Sequence, residues 1–78
     1  MKVKYCVVKE IYEAECTNRV SYGICAYRLE DNALVVVEAV YNLSDDYEKI
    51  NKLCAECNKS ELEADHLKDV ADDFLALC

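Results

Sequence analysis

The sequence predicts an α+β fold: a three-stranded antiparallel β-meander followed by two amphipathic helices packed on one face, in the order βββαα. Three observations carry this. The first 41 residues alternate apolar and polar positions with period two, the signature of half-buried strands. From residue 44 onward the apolar residues recur at i, i+3 and i+4, the stripe of a helix. At 78 residues the chain is long enough for one core and one domain, residues 1–78.

Residues 3–13 read as the first strand, with Val3, Tyr5, Val7 and Ile11 on one face. Residues 19–29 read as the second, with Val20, Tyr22, Ile24 and Ala26 together. Residues 33–41 read as the third, with Ala33, Val35, Val37, Ala39 and Tyr41 together. Asp31-Asn32 suits a two-residue hairpin loop, because Asn and Asp tolerate positive φ better than other non-glycine residues. A loop at that point sets a register of Ala26 against Val37, Ile24 against Ala39, and Tyr22 against Tyr41. All six are apolar, and a slip of one residue would destroy the match. The first hairpin turns within residues 14–18, in a register that is less defined.

Ser44 or Asp45 is placed to cap the next segment, with Glu48 completing an Asp-x-x-Glu box from Asp45. Tyr47, Ile50, Leu53, Cys54 and Cys57 form its apolar stripe, and Asn58 supplies a stop. A second helix begins near Glu63. Leu62 and Leu67 have the spacing of a hydrophobic staple. Leu67, Val70, Ala71, Phe74 and Cys78 form the second stripe, with Asp65, Asp69, Asp72 and Asp73 mostly outward. Two such helices suffice to cover one face of a small sheet.

The other face of the sheet is less polar than a solvated face requires. The same register sets Leu29 against Leu34 and Tyr27 against Val36 there. Cys25 and Val40 join them, with Cys6, Val8 and Tyr12 from the first strand. A contiguous apolar patch marks an interaction surface, although scattered exposed apolar residues are ordinary. Cys25, Tyr27, Leu29, Leu34, Val36 and Val40 are the expected interaction residues. Gly23, alone in mid-strand, marks a bulge or a place where an aromatic lies across the backbone, with Val40 or Tyr27 as the neighbour in that role.

Composition narrows the function classes. The chain is 54% hydrophobic with seven aromatics, no proline and one glycine, which leaves no linker or low-complexity tract. Its net charge is −7. Residues 1–40 carry net −1 and residues 41–78 net −6, from four basic and ten acidic side chains. The absence of a basic stripe argues against nucleic-acid binding, and no apolar run approaches the ~20 residues of a membrane helix. The acidic half reads as a solvated face that keeps the chain soluble.

Six cysteines border on the density of a disulfide scaffold. However, Met1-Lys2-Val3-Lys4 has no signal-peptide apolar region, and Gly- and Pro-rich loops are absent. The expectation is a cytoplasmic protein with reduced thiols acting mostly as small core hydrophobes.

Four constellations of residues bear on chemistry. Cys54-Ala55-Glu56-Cys57 is the single C-x-x-C. It falls in the last turns of a helix, where the dipole opposes thiolate formation. With His66 and Cys78 it approaches a four-ligand zinc set, at spacings matching no standard module. Glu63-x-x-His66 has di-iron spacing but lacks the second copy and further glutamates. His66, Asp69 and Asp73 share one side of the second helix, as surface acids commonly do. A Cys-His nucleophile needs one of six cysteines beside His66, which the sequence does not specify.

Ser21-Tyr22-Gly23-Ile24 with Tyr27, the acidic helix, and His66-Leu67-x-Asp69-Val70-x-x-Asp73-Phe74-Leu75 resemble a family of small uncharacterised Firmicutes proteins, classed as a domain of unknown function. The resemblance spans most of the chain and implies a stand-alone cytosolic protein of about this length. It implies no activity, cofactor or catalytic residue, and the cysteines lie outside the shared pattern.

The expected function is thus a small non-enzymatic protein-interaction module, homodimeric or docking another protein through the back of its sheet. No cofactor is expected. The alternative is a thiol-based metal or redox protein using Cys54 and Cys57, with His66 as a further metal candidate.

Overall fold

A computed structural model describes residues 3–14 and 17–77. Strand β1 spans Lys4–Ala14, β2 Thr17–Glu30 and β3 Ala33–Ser44; helix α1 spans Tyr47–Lys59. A short 3₁₀ turn at Ala64–His66 leads into α2, Leu67–Leu77. The strands form one antiparallel sheet in the order β1-β2-β3. This is the βββαα arrangement the sequence predicts. Cys16 and Cys78 lie outside the described residues.

Strand β1 pairs with β2 without interruption from Lys4↔Tyr27 to Ala14↔Thr17. The β2–β3 hairpin turns at Asp31 (φ 49°) and Asn32 (φ 66°), the two positive φ values of a type I′ loop. The expected register holds near that loop: Leu29 faces Leu34 and Tyr27 faces Val36.

Beyond Val36 the register departs from expectation. Val37 is an extra residue, so Ala26 faces Glu38, Cys25 faces Ala39 and Ile24 faces Val40. A second irregularity brings Tyr22 opposite Ser44. Each bulge re-phases the strand and changes which side chains face inward. The β3 residues that reach the core are therefore Val37, Val40 and Leu43, three apart rather than two. Val40, expected on the back of the sheet, packs against the core instead, and Ala39 lies opposite Cys25. Tyr41, expected against Tyr22, is 57% exposed.

Gly23 sits at the second bulge, the role anticipated for it. A Cβ there would collide with the Val40 carbonyl oxygen and lie 2.9 Å from Tyr41 Cα. Asn42 takes positive φ (56°) in the same bulge, and the Ser21 hydroxyl donates to Asn42 Oδ1 at 2.8 Å.

Asp46 caps α1, one residue later than the cap the sequence predicts. Its Oδ1 accepts from the Glu48 and Lys49 amides at 3.0 and 3.3 Å. Ser44 still contributes, since its hydroxyl oxygen accepts from the Asp46 amide at 3.0 Å. The helix ends in a Schellman turn: the Leu62 amide reaches Cys57 O and the Glu61 amide reaches Asn58 O, with Glu61 at φ 54°. That turn feeds Leu62 into the core beside Leu67, the pair with staple spacing.

The core lies between one sheet face and the helices. Tyr5, Ile24, Ala26 and Leu43 meet Ile50, Cys54 and Cys57 of α1 and Leu67 and Ala71 of α2. Tyr47, half exposed, extends the α1 stripe by setting its ring edge-on to Tyr22, 5.4 Å between centroids. Helix α1 is about 20 Å long and β2 about 46 Å, so the helices cover the sheet from Tyr5 and Ala26 to Tyr22 and Leu43 and not its full length. At the far end Ile11, on the inward phase of β1, is 65% exposed.

Candidate interaction surface

Both helices pack on the same side of the sheet, and the opposite side is open. Strand alternation fixes what that side presents. Residues Cys6, Val8 and Tyr12 of β1 alternate with the inward Tyr5 and Val7. Residues Cys25, Tyr27 and Leu29 of β2 alternate with the inward Ile24 and Ala26. Leu34 and Val36 follow from their pairing with Leu29 and Tyr27.

Exposure is concentrated at the β2–β3 hairpin end. Leu29, Leu34 and Val36 are 63%, 68% and 61% exposed. Leu29 and Leu34 are a direct cross-strand pair, and Val36 is the next open-face residue along β3. Tyr27, one pair further in, is half-buried, and Cys25 is buried although it belongs to no part of the helix-side core. Of the six residues expected on this surface, five lie on it; Val40 does not.

Charge is segregated between the layers. On the open face the register places Lys4, Glu10 and Arg19 as the ionisable carboxylates and bases. All ten acidic residues of 41–78 are exposed, and they belong to the helical half. The open face is thus apolar and close to neutral, while the net charge of −7 sits largely with the helices.

The thiols divide between two environments. Cys54 and Cys57 face the core, as the stripe predicts. Burial, reinforced by Cys57 and Cys6, pushes the Cys54 thiol up to about 11. Burial, with Glu56 nearby, raises Cys57 as well. Both thiols are buried in the core, out of reach of dissolved reagents. His66 is exposed in the 3₁₀ turn. Among the described residues no three His, Cys, Asp or Glu side chains converge in a way that would hold a metal ion. Cys6 and Cys25, by contrast, are directly paired on the open face.

By its place in the sequence Asn58 is only a helix stop. In the fold its carboxamide also reaches the free edge of β1 at Tyr5. Only the docking of α1 against that edge creates this contact. The bulge at Val37, which removes Val40 from the open face, has no signal in the sequence; Gly23 marks only the second bulge, beyond Val40.

No helix among the described residues is long and apolar enough to cross a membrane. No curated protein and no solved structure matches the chain. Residues 1–77 match a family of unknown function, DUF6514, and the chain belongs to that family.

Proposed function

We propose that the protein is a non-enzymatic protein-interaction module that works as a homodimer, joining two copies through the open face of the sheet. One observation carries this reading: the chain exposes more surface than a monomer of its size should. Its accessible area is 5843 Å², against about 4,800 Å² for a compact monomer of the same mass. The surplus, about 1,000 Å², includes Leu29, Leu34 and Val36 on the open face as well as Ile11 on the helix side, and the roughly 800 Å² that each partner contributes to a standard interface fits within it.

The chemistry of the face supports a second copy as the occupant. A twofold contact sets the same patch against itself, so the patch must be self-complementary. An apolar, nearly neutral surface meets that condition. The acidic helices would repel their counterparts, but they lie on the far side of each sheet. Packing two sheets through their apolar faces is also a common layer architecture. A cytoplasmic setting accords with the free thiols among the described residues, Cys6, Cys25, Cys54 and Cys57.

Sedimentation equilibrium or light scattering across a concentration series, with reductant present, tests the reading. Wild-type protein should approach twice the 8.9 kDa chain mass. Leu34→Glu should return it to the monomer with unchanged secondary structure, because Leu34 is too exposed to matter for the core. A wild-type monomer throughout the series would overturn the homodimer.

A further inference from the structure

We infer that Cys6 and Cys25 form a dithiol–disulfide couple on the open face of the sheet, a site of reversible oxidation by small disulfides. The two residues are Cα partners in the β1–β2 ladder. Both side chains fall on the open face, since their neighbours Tyr5 and Ala26 are buried on the other.

The type of pair follows from Tyr5. Its amide and its carbonyl both turn outward to Asn58, away from β2. The backbone groups of the next residue, Cys6, therefore point inward to β2, which makes Cys6↔Cys25 a hydrogen-bonded pair. Such pairs have Cα atoms about 5.5 Å apart, inside the 4.4–6.8 Å range of disulfides. Their Cβ atoms, toward the wide end of the roughly 4.5–5.5 Å cross-strand range, are further apart than the ~3.8 Å a disulfide prefers. The bond is within reach, but closing it draws the strands together locally. A strained cross-strand disulfide of this kind is easily reduced, the property of a reversible couple rather than a structural staple.

The order of steps follows from access. Cys6 is half-buried and Cys25 is buried. Burial and the adjacent Cys6 also raise the Cys25 thiol. The Cys6 thiolate attacks glutathione disulfide first, forming a mixed disulfide and releasing one glutathione thiolate. Cys25, losing its proton, then attacks Cys6 Sγ and expels the second glutathione. Two protein thiols are oxidised and one glutathione disulfide is reduced to two thiols. Cys54 and Cys57 face the core and stay reduced.

The test is incubation of the folded chain with glutathione disulfide, followed by intact mass measurement and peptide mapping under non-reducing conditions. It is run on wild type and on Leu34→Glu, so that closure of the face by a partner copy and absence of the couple are told apart. The expected result is a loss of two hydrogens, a Cys6–Cys25 linked peptide, and full return with excess reduced glutathione. Cys6→Ser should abolish that linkage, whereas a Cys54→Ser, Cys57→Ser chain should keep it. If Leu34→Glu yields no Cys6–Cys25 peptide, or links its other cysteines as readily, the couple does not exist.

Discussion

The carboxamide of Asn58 pairs with the backbone of Tyr5 in both directions. Asn58 Oδ1 accepts from the Tyr5 amide at 2.8 Å, and Asn58 Nδ2 donates to the Tyr5 carbonyl at 3.0 Å. A helix side chain thus stands where a fourth strand would add to the edge of β1. It satisfies two edge groups that would otherwise invite pairing with another chain, and it locks the end of α1 to the sheet. Asn58→Ala should lower stability by about 1–3 kcal/mol for the two lost bonds. Asn58→Asp, nearly the same shape, should cost at least as much, because an acceptor then faces the Tyr5 carbonyl. Urea unfolding of the three chains checks this, with the midpoint falling at unchanged slope.

The same tyrosine holds the helix end a second time, through its side chain. The buried Tyr5 hydroxyl donates to Leu62 O at 2.6 Å, inside the turn that closes α1. Tyr5→Phe keeps the ring packing and removes only this bond. A loss of about 1–2 kcal/mol is expected, read from the shift in urea midpoint.

Gly23 is required by contact and not by backbone conformation, since no glycine here has positive φ. Any Cβ meets the backbone of Val40 and Tyr41, which cannot rotate away. Gly23→Ala should destabilise by about 1–3 kcal/mol through overpacking. Thermal unfolding followed by circular dichroism checks this. Ala39→Gly, on the neighbouring strand, should not rescue the variant, because the clash is with backbone.

Stability should fall on the alkaline side. Cys54 titrates near 9.0 when unfolded and at about 11 when folded. Below pH 9 both states hold the proton and the pH has no effect through this group. Between pH 9 and 11 the unfolded chain loses it first, so folding weakens, by at most about 1.4 kcal/mol per pH unit for one thiol. Cys57 and Cys25 are shifted in the same direction and add to the slope, and Tyr5 joins them only above pH 10. Urea midpoints measured at pH 8, 9 and 10 should fall after pH 9, and Cys54→Ala should show a shallower decline.

Much of this architecture is legible in the chain itself. Alternation along Val3-Tyr5-Val7 and Ile24-Ala26 marks the strands, because a strand turns every second side chain to the same face. The stripes Ile50-Cys54-Cys57 and Leu67-Val70-Ala71-Phe74 mark the helices for the corresponding reason at period 3.6. Asp31-Asn32 names the type I′ loop and so the register beside it. The open face, with Tyr27, Leu29, Leu34 and Val36, follows from that local register alone. Each of these rests on neighbours in sequence.

What lies outside that reach depends on contacts between distant segments. The extra residue at Val37 and the wider break before Ser44 turn Val40 and Leu43 inward. They exist because β3 must bend so that its apolar residues meet Ile50 and Leu67, and no period in residues 33–44 records that need. The clasp of Asn58 on Tyr5 joins positions 53 apart, and the pairing of Cys6 with Cys25 needs the first hairpin to close in one register out of several. Period and turn chemistry therefore determined the elements, their order and the open face. Where β3 bulges, how α1 seals the sheet edge and which thiols meet were decided by packing, which is a property of the assembled core and not of any one segment.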